Sequence, residues 1–321
     1  PGWSAIADEP TGVTLSVSPS TFTLAAGESR QVAITANAGG AVLNQWLFGS
    51  VVFIPDDMSI AAAGFPVALQ RTVSTLPSSL RYRDVSRTSD KTLPDLEAIA
   101  ITELTVTGDG LTPAAVHEAR LYQDPTPANF ADGAWEDNDG DGLWVREILV
   151  PAGSKRLVAE IVDTTSPDVD MYLYRWTGSA WEWPCTANQI GSDEYCSVAD
   201  PPAGSYYAWI HNYTASDPAG GQADEVSLAA AAVTGTPAGN LTVSLAGGGS
   251  SVPAGQPFDL ALGWDLTASA QDHWYGRFGL GTDPGSPDNL GLVDLDLHVR
   301  PGTLFFPVKG KNGNTTIIYL P

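Results

Sequence analysis

Residues 136–142 read EDNDGDG, and Asp137, Asp139 and Asp141 alternate with small residues before Gly142 closes the run. Carboxylates at alternating positions of a tight turn bring their oxygens together, and hard oxygen donors are what Ca2+ takes. An EF-hand counted from Asp137 would place ligands at positions 1, 3 and 5, glycine at 6 and a bidentate Glu at 12. The twelfth residue is Ile148, Glu147 is one place off, and the following LWVREILV reads as a strand rather than a helix. The run is therefore not an EF-hand. A β-type calcium loop and a solvated Asp/Gly turn both fit it. Asp168 and Asp170, in the stretch SPDVD, offer further oxygens from a neighbouring turn. Ca2+ is the one cofactor this pattern would take.

Two other groups of residues could do chemistry. In MYLYRW, alternation sets Tyr172, Tyr174 and Trp176 on one face of a strand and Met171, Leu173 and Arg175 on the other. One face must be core. The aromatic face either packs as cover or presents a surface to a polymer, such as a polysaccharide or a collagen-like protein. Cys185 and Cys196 are the only cysteines. A zinc site would want more Cys or His nearby, so one disulfide closing a hairpin is expected, and with it an oxidising compartment.

Short strands must position these groups. Glycine (33) and proline (24) are abundant, 43% of residues are hydrophobic, and amphipathic helix is almost absent, TPAAVHEARL (112–121) coming nearest. One element recurs: TLAAGESRQVAITA (23–36), LVPAGSKRLVAEIV (149–162) and SVPAGQPFDLALGW (251–264). Each is an apolar run, an Ala-Gly turn and an alternating strand, which carries Val32 and Ile34, then Leu157, Ala159 and Ile161, then Leu260, Leu262 and Trp264 on one face. Spaced by roughly 100 residues, this is one strand pair per β-sandwich. The expected fold class is all-β, with three consecutive sandwiches. The first runs over 1–73 and is fibronectin III/Ig-like, with its first strands upstream of Pro1. A Ser-, Pro- and Arg-rich linker follows at 74–95, then a jelly-roll-like domain at 96–234. An Ig-like sandwich at 235–321 ends in a hairpin whose turn is KGKNGN.

Charge narrows the partners. With 37 acidic against 15 basic residues the chain carries −22, which disfavours nucleic acid and an anionic membrane surface. There is no apolar run of about 20 residues that would span a membrane. No signal peptide is seen, and PGWSAIADEP opens abruptly, as a piece cut from a longer secreted precursor would.

The segment PTGVTLSVSPSTFTLAAGESRQVAITA with LNQWLFGSVVF resembles the fibronectin type III-like domain that follows the catalytic domain in bacterial subtilisin-like serine proteases (subtilases). Phe22, Leu24, Gly27, Glu28, Trp46, Phe48, Gly49 and Ser50 match that pattern, while Phe53 stands where the family has a second Trp. DVDMYLY (168–174) and PAGSYYAWIH (202–211) are similar to the pre-peptidase C-terminal jelly roll of such proteases, and residues 239–297 to their final sandwich. The resemblance implies a non-catalytic C-terminal region, secreted or at the cell surface, that supports or targets proteolysis by an upstream catalytic domain. The rival expectation is an adhesive or self-assembling surface or filament protein, whose partners are an extracellular polymer or neighbouring copies of itself. The uncharged stretches TLFF and TTIIYL suit that rival, since such strands pair with open sheet edges. No Asp, His or Ser triad motif of a subtilase occurs here, and the four histidines lie one per segment with no nucleophile motif beside them. No catalytic residue is assigned, and the enzyme expected is the parent, a serine endopeptidase.

Overall fold

The computed structural model describes residues 1–108, 110–124, 142–219, 221–234, 238–300, 304–309 and 315–320. All its regular elements are β-strands, as the period-two patterns and Gly/Pro punctuation require. The chain divides into two compact units, Pro1–Thr75 and Leu76–Pro321.

The first unit holds β1 (Gly2–Asp8), β2 (Thr14–Ser18), β3 (Thr21–Thr23), β4 (Ala33–Asn37), β5 (Trp46–Pro55) and β6 (Ala63–Gln70). One sheet has the order β3-β1-β5-β6, and the other is the pair β2-β4. A small core of Val13, Leu15, Ala41, Val51 and Phe53 lies in this unit. The recurring Ala-Gly turn is present, with Gly27 at φ 81°, a conformation that glycine adopts without steric cost.

The second unit contains two sandwiches, one inserted into the other. Its early strands are β7 (Ser79–Val85), β8 (Thr88–Leu96), β9 (Thr105–Thr107) and β10 (Leu111–Pro113). Next come β11 (Ala115–Leu121), β12 (Leu143–Val150), β13 (Arg156–Thr164), β14 (Asp168–Trp176), β15 (Trp181–Ala187), β16 (Tyr195–Ala199), β17 (Gly204–Thr214) and β18 (Asp224–Val233). The last strands are β19 (Leu241–Leu245), β20 (Phe258–Asp265), β21 (His273–Gly281), β22 (Gly291–Val299), β23 (Leu304–Lys309) and β24 (Thr315–Leu320).

Strands β11 to β18 form the jelly-roll-like sandwich, from sheets β11-β18-β13-β16 and β12-β17-β14-β15. Its core includes Leu157, Ala159, Ile161, Met171, Leu173 and Ile210. The other sandwich is built from chain on both sides of that insertion. One of its sheets is β10-β21-β22-β7, with β9 also on β21, and the other is β19-β20-β8.

Residues 74–95 are therefore not a linker. β7 pairs in parallel with β22, and β8 pairs antiparallel with β20. Leu80, Tyr82 and Leu93 pack on the core of the last sandwich, a period-two pattern that the surrounding Ser, Pro and Arg residues obscure. Leu96, Ala98, Ile101 and Leu111 belong to that same core rather than to the jelly roll. TPAAVHEARL is strand, not helix, because β10 and β11 pair with β21 and β18. The hairpin at the C-terminus forms as β23-β24.

Candidate functional site

The disulfide Cys185–Cys196 is present, with a Cα–Cα distance of 5.8 Å. It does not close a two-stranded hairpin. Cys185 lies on β15 and Cys196 on β16, which are edge strands of opposite sheets of the jelly roll. The bond therefore ties the two sheets together at one edge, and Cys196 is fully buried in the core.

The alternation in β14 places Met171 and Leu173 in the core and turns Tyr172, Tyr174 and Trp176 to the outer face. There they join side chains from the neighbouring strands, because Tyr172 is opposite Trp209 and Tyr174 is opposite Tyr207 on β17, and Trp176 is opposite Trp181 on β15. The Tyr174 ring lies 4.5 Å from Trp209 and 5.9 Å from Trp183, centroid to centroid, and Trp181 lies 5.0 Å from Trp176 and 5.5 Å from Tyr207. Trp176 and Trp183 are the outermost rings, 43% and 65% exposed. On the other face of these strands Arg175 pairs with Glu182 at 3.0 Å and lies over the ring of the buried Tyr206. The sequence shows an aromatic-rich segment that also holds Trp181, Trp183, Tyr207 and Trp209, but alternation assigns only the β14 members to a shared face. The β15 and β17 members become neighbours through pairing register, which follows from the sheet order.

At one end of this face the acidic pair meets other titratable groups. Asp168 accepts a hydrogen bond from the Gly191 backbone N–H at 3.0 Å, and Asp170 accepts one from the Tyr172 hydroxyl at 3.1 Å. Burial, then the Asp170 carboxylate, push the Tyr172 hydroxyl up to about 12. Glu194 is buried close by. Desolvation, then repulsion from Asp170 and Asp168, push its carboxyl up to about 7. His211, fully buried, meets Asp124 at 2.8 Å through Nε2, with Asp170 3.8 Å from its Nδ1. Asp137, Asp139 and Asp141 lie outside the described residues. Among the described residues no group of three or more His, Cys, Asp or Glu side chains is arranged to hold a metal ion.

The opposite outer face of the jelly roll is covered. Val158 on β13 and Ala229, Ala231 and Val233 on β18 form one apolar cluster with Ala114 and with Tyr275 of the last sandwich. A buried polar network surrounds it. The Arg156 guanidinium meets Asp296 at 2.7 Å and Asp294 at 3.3 Å, and donates to the Gly276 carbonyl at 3.0 Å and to the Tyr195 hydroxyl. Burial works against the Arg156 charge, but the Asp296 carboxylate outweighs it and holds the group above its ordinary value. Glu160 accepts from the Tyr275 hydroxyl at 2.7 Å and lies 3.2 Å from His298 Nε2. Burial would raise the Glu160 carboxyl, yet His298, Tyr275 and Arg81 together hold it below the usual carboxylate range. Arg156, Glu160, Asp294 and Asp296 each have an ionic partner here, which makes this a structural joint rather than an open site.

Residues 148–212 match the family model of the bacterial pre-peptidase C-terminal domain. That span covers most of β12 to β17 and carries the aromatic face and the acidic pair. Such domains are generally accessory to secreted proteases. No curated protein matches the chain. Among solved structures, a β-glucuronidase from Ruminococcus gnavus, in complex with an N1-substituted uronic isofagomine, aligns at 8% identity and a TM-score of 0.23, over 68% of this chain and 48% of that one. This chain thus spans about half the length of that one. A carbohydrate-binding module of the β-sandwich superfamily aligns at 10% identity and a TM-score of 0.16, over 82% of this chain and 96% of that one. At such scores neither likeness carries an argument. Among the described residues no helix is long and apolar enough to cross a membrane.

Proposed function

We propose that this chain is a non-catalytic accessory region of a secreted bacterial subtilase, and that the outer aromatic face of its jelly roll holds polymeric substrate for the catalytic domain. The match of residues 148–212 to the pre-peptidase C-terminal domain carries the reading. The subtilase parent rests on the order of the three resembling modules. Exposed indole rings grip sugar rings or imino-acid-rich chains through flat, weakly polar contacts, which tolerate a repeating polymer better than a buried pocket does. The reaction would stay with the parent's own serine, histidine and aspartate.

The test is retention of the full chain on insoluble collagen, cell walls and polysaccharides, beside Trp176→Ala and Trp183→Ala. The expected result is retention on one class of polymer, reduced several-fold in both variants with unchanged near-UV circular dichroism. Passage of the native chain through every matrix sinks the substrate-holding role. Casein hydrolysis by this chain alone, blocked by a serine reagent, sinks the accessory role.

A further inference from the structure

The sandwich of the first unit is unequal. Four strands, β3-β1-β5-β6, make one sheet, and only two, β2-β4, make the other. Strands sit about 4.8 Å apart within a sheet, so the smaller sheet is roughly 10 Å narrower. A cleft of about 410 Å³ opens there, and its lining includes Trp3, Phe22, Val32, Ile34, Phe53 and Phe65. The rings of Phe22, Phe53 and Phe65 run in a row across the larger sheet, with successive centroids 5.7 Å apart. Ile34 of β4 also lines the cleft and is 41% exposed. Among the described residues β4 pairs only with β2, so the backbone groups of its other edge are open beside the cleft. An apolar cleft next to an open strand edge fits an extended strand with one apolar face.

The C-terminal hairpin has the matching properties. Among the described residues β23 and β24 pair only with each other, and an isolated two-stranded hairpin is marginal in water. Residues 301–321 contain no acidic residue and carry Lys309 and Lys311, in a chain of net charge −22. The first unit carries Asp8, Glu9, Glu28, Asp56 and Asp57 against Arg30 and Arg71, so its net charge is opposite in sign to the tail's, although Arg30 itself lines the cleft. Pro307 removes a backbone donor from β23, whereas TTIIYL in β24 keeps all of its donors. TTIIYL has no charged residue, so an apolar surround suits it.

We infer that β24 of one copy of this chain adds to β4 of a second copy and fills its apolar cleft. The two surfaces differ, so the contact is head-to-tail and can repeat along a row of copies. It goes beyond the accessory role proposed above and does not depend on it.

Sedimentation of the full chain over a concentration series tests this, with Ile34→Lys spoiling the cleft and Ile318→Lys spoiling the strand. The native chain should grow in mass with concentration, and each variant alone should stay monomeric with native circular dichroism. An equal mixture of the two variants should form dimers and stop there, because one intact cleft meets one intact strand. A native chain that stays monomeric overturns the inference, and would fit a cleft filled by the chain's own tail or by a strand from upstream of Pro1. Association that survives both substitutions, or a mixture that yields no dimer, overturns it as well.

Discussion

Strands β4 and β13 follow the same kind of Ala-Gly turn and carry the same alternating pattern, yet their surroundings are opposite. Every residue of β4 is exposed, while Arg156 to Ile161 of β13 are all buried. Ile34, seven residues past Gly27, is 41% exposed, whereas Ile161, eight residues past Gly153, is 5% exposed. The difference lies in what covers each strand. β13 has strands on both sides, a full sheet over its inner face and the last sandwich over its outer face. β4 has one neighbour, and a cleft beside it. A local pattern can specify a strand, but burial depends on how many elements arrive to cover it.

The contrast predicts a graded set of effects. Arg156→Ala should do the most damage. It takes the nearest cation from Asp296 and the second from Asp294, which keeps Arg277 at 2.6 Å, a loss of about 3–5 kcal/mol for a broken buried pair, read in the unfolding of the second unit by denaturant. Ile161→Ala should cost about 2–5 kcal/mol as a core truncation. Ile34→Ala should cost less than about 1 kcal/mol in the monomer, since a half-exposed side chain leaves little cavity. Peptide-resolved hydrogen exchange follows the two units separately, and equal effects at the two positions would dissolve the comparison.

Replacing both cysteines by serine should remove about 2–3 kcal/mol from the jelly roll, the loop-closure value for a separation of 11 residues. Loss of stability confined to the first unit would contradict the inter-sheet tie.

The smallest effect is a slope with pH. Glu194 has an ordinary value of 4.5 and is pushed up to about 7 in the folded chain. Between those values the folded state keeps a proton that the unfolded state has released. Its contribution is complete below about pH 4.5 and is lost as pH rises toward 7. Glu194→Gln should flatten that slope. Added Ca2+ should raise the melting temperature of the native chain at pH 7, and less so for Glu194→Gln, if Asp168 and Asp170 take part in a calcium site. An identical response in both chains separates Glu194 from any bound cation.

The amino-acid sequence by itself settled the all-β class, the existence of most strands, the terminal hairpin, the Cys185–Cys196 bond and the division of β14 into a core face and an aromatic face. Those features depend on period-two alternation, on turn residues and on there being only two cysteines, all of which are local or countable. Tertiary structure alone decided which strands share a sheet. Pairing of β7 with β22 and of β8 with β20 joins residues about 160 to 215 apart, and no local pattern encodes that choice. It turned an expected linker into two strands, set one sandwich inside another and placed the disulfide between opposite sheets. It also gathered Trp181, Trp183, Tyr207 and Trp209 around Tyr174, and set Glu194 beside Asp168 and Asp170. A residue's type is written in the chain, but its neighbours across a sheet are set by register, and register is satisfied only when the whole core closes.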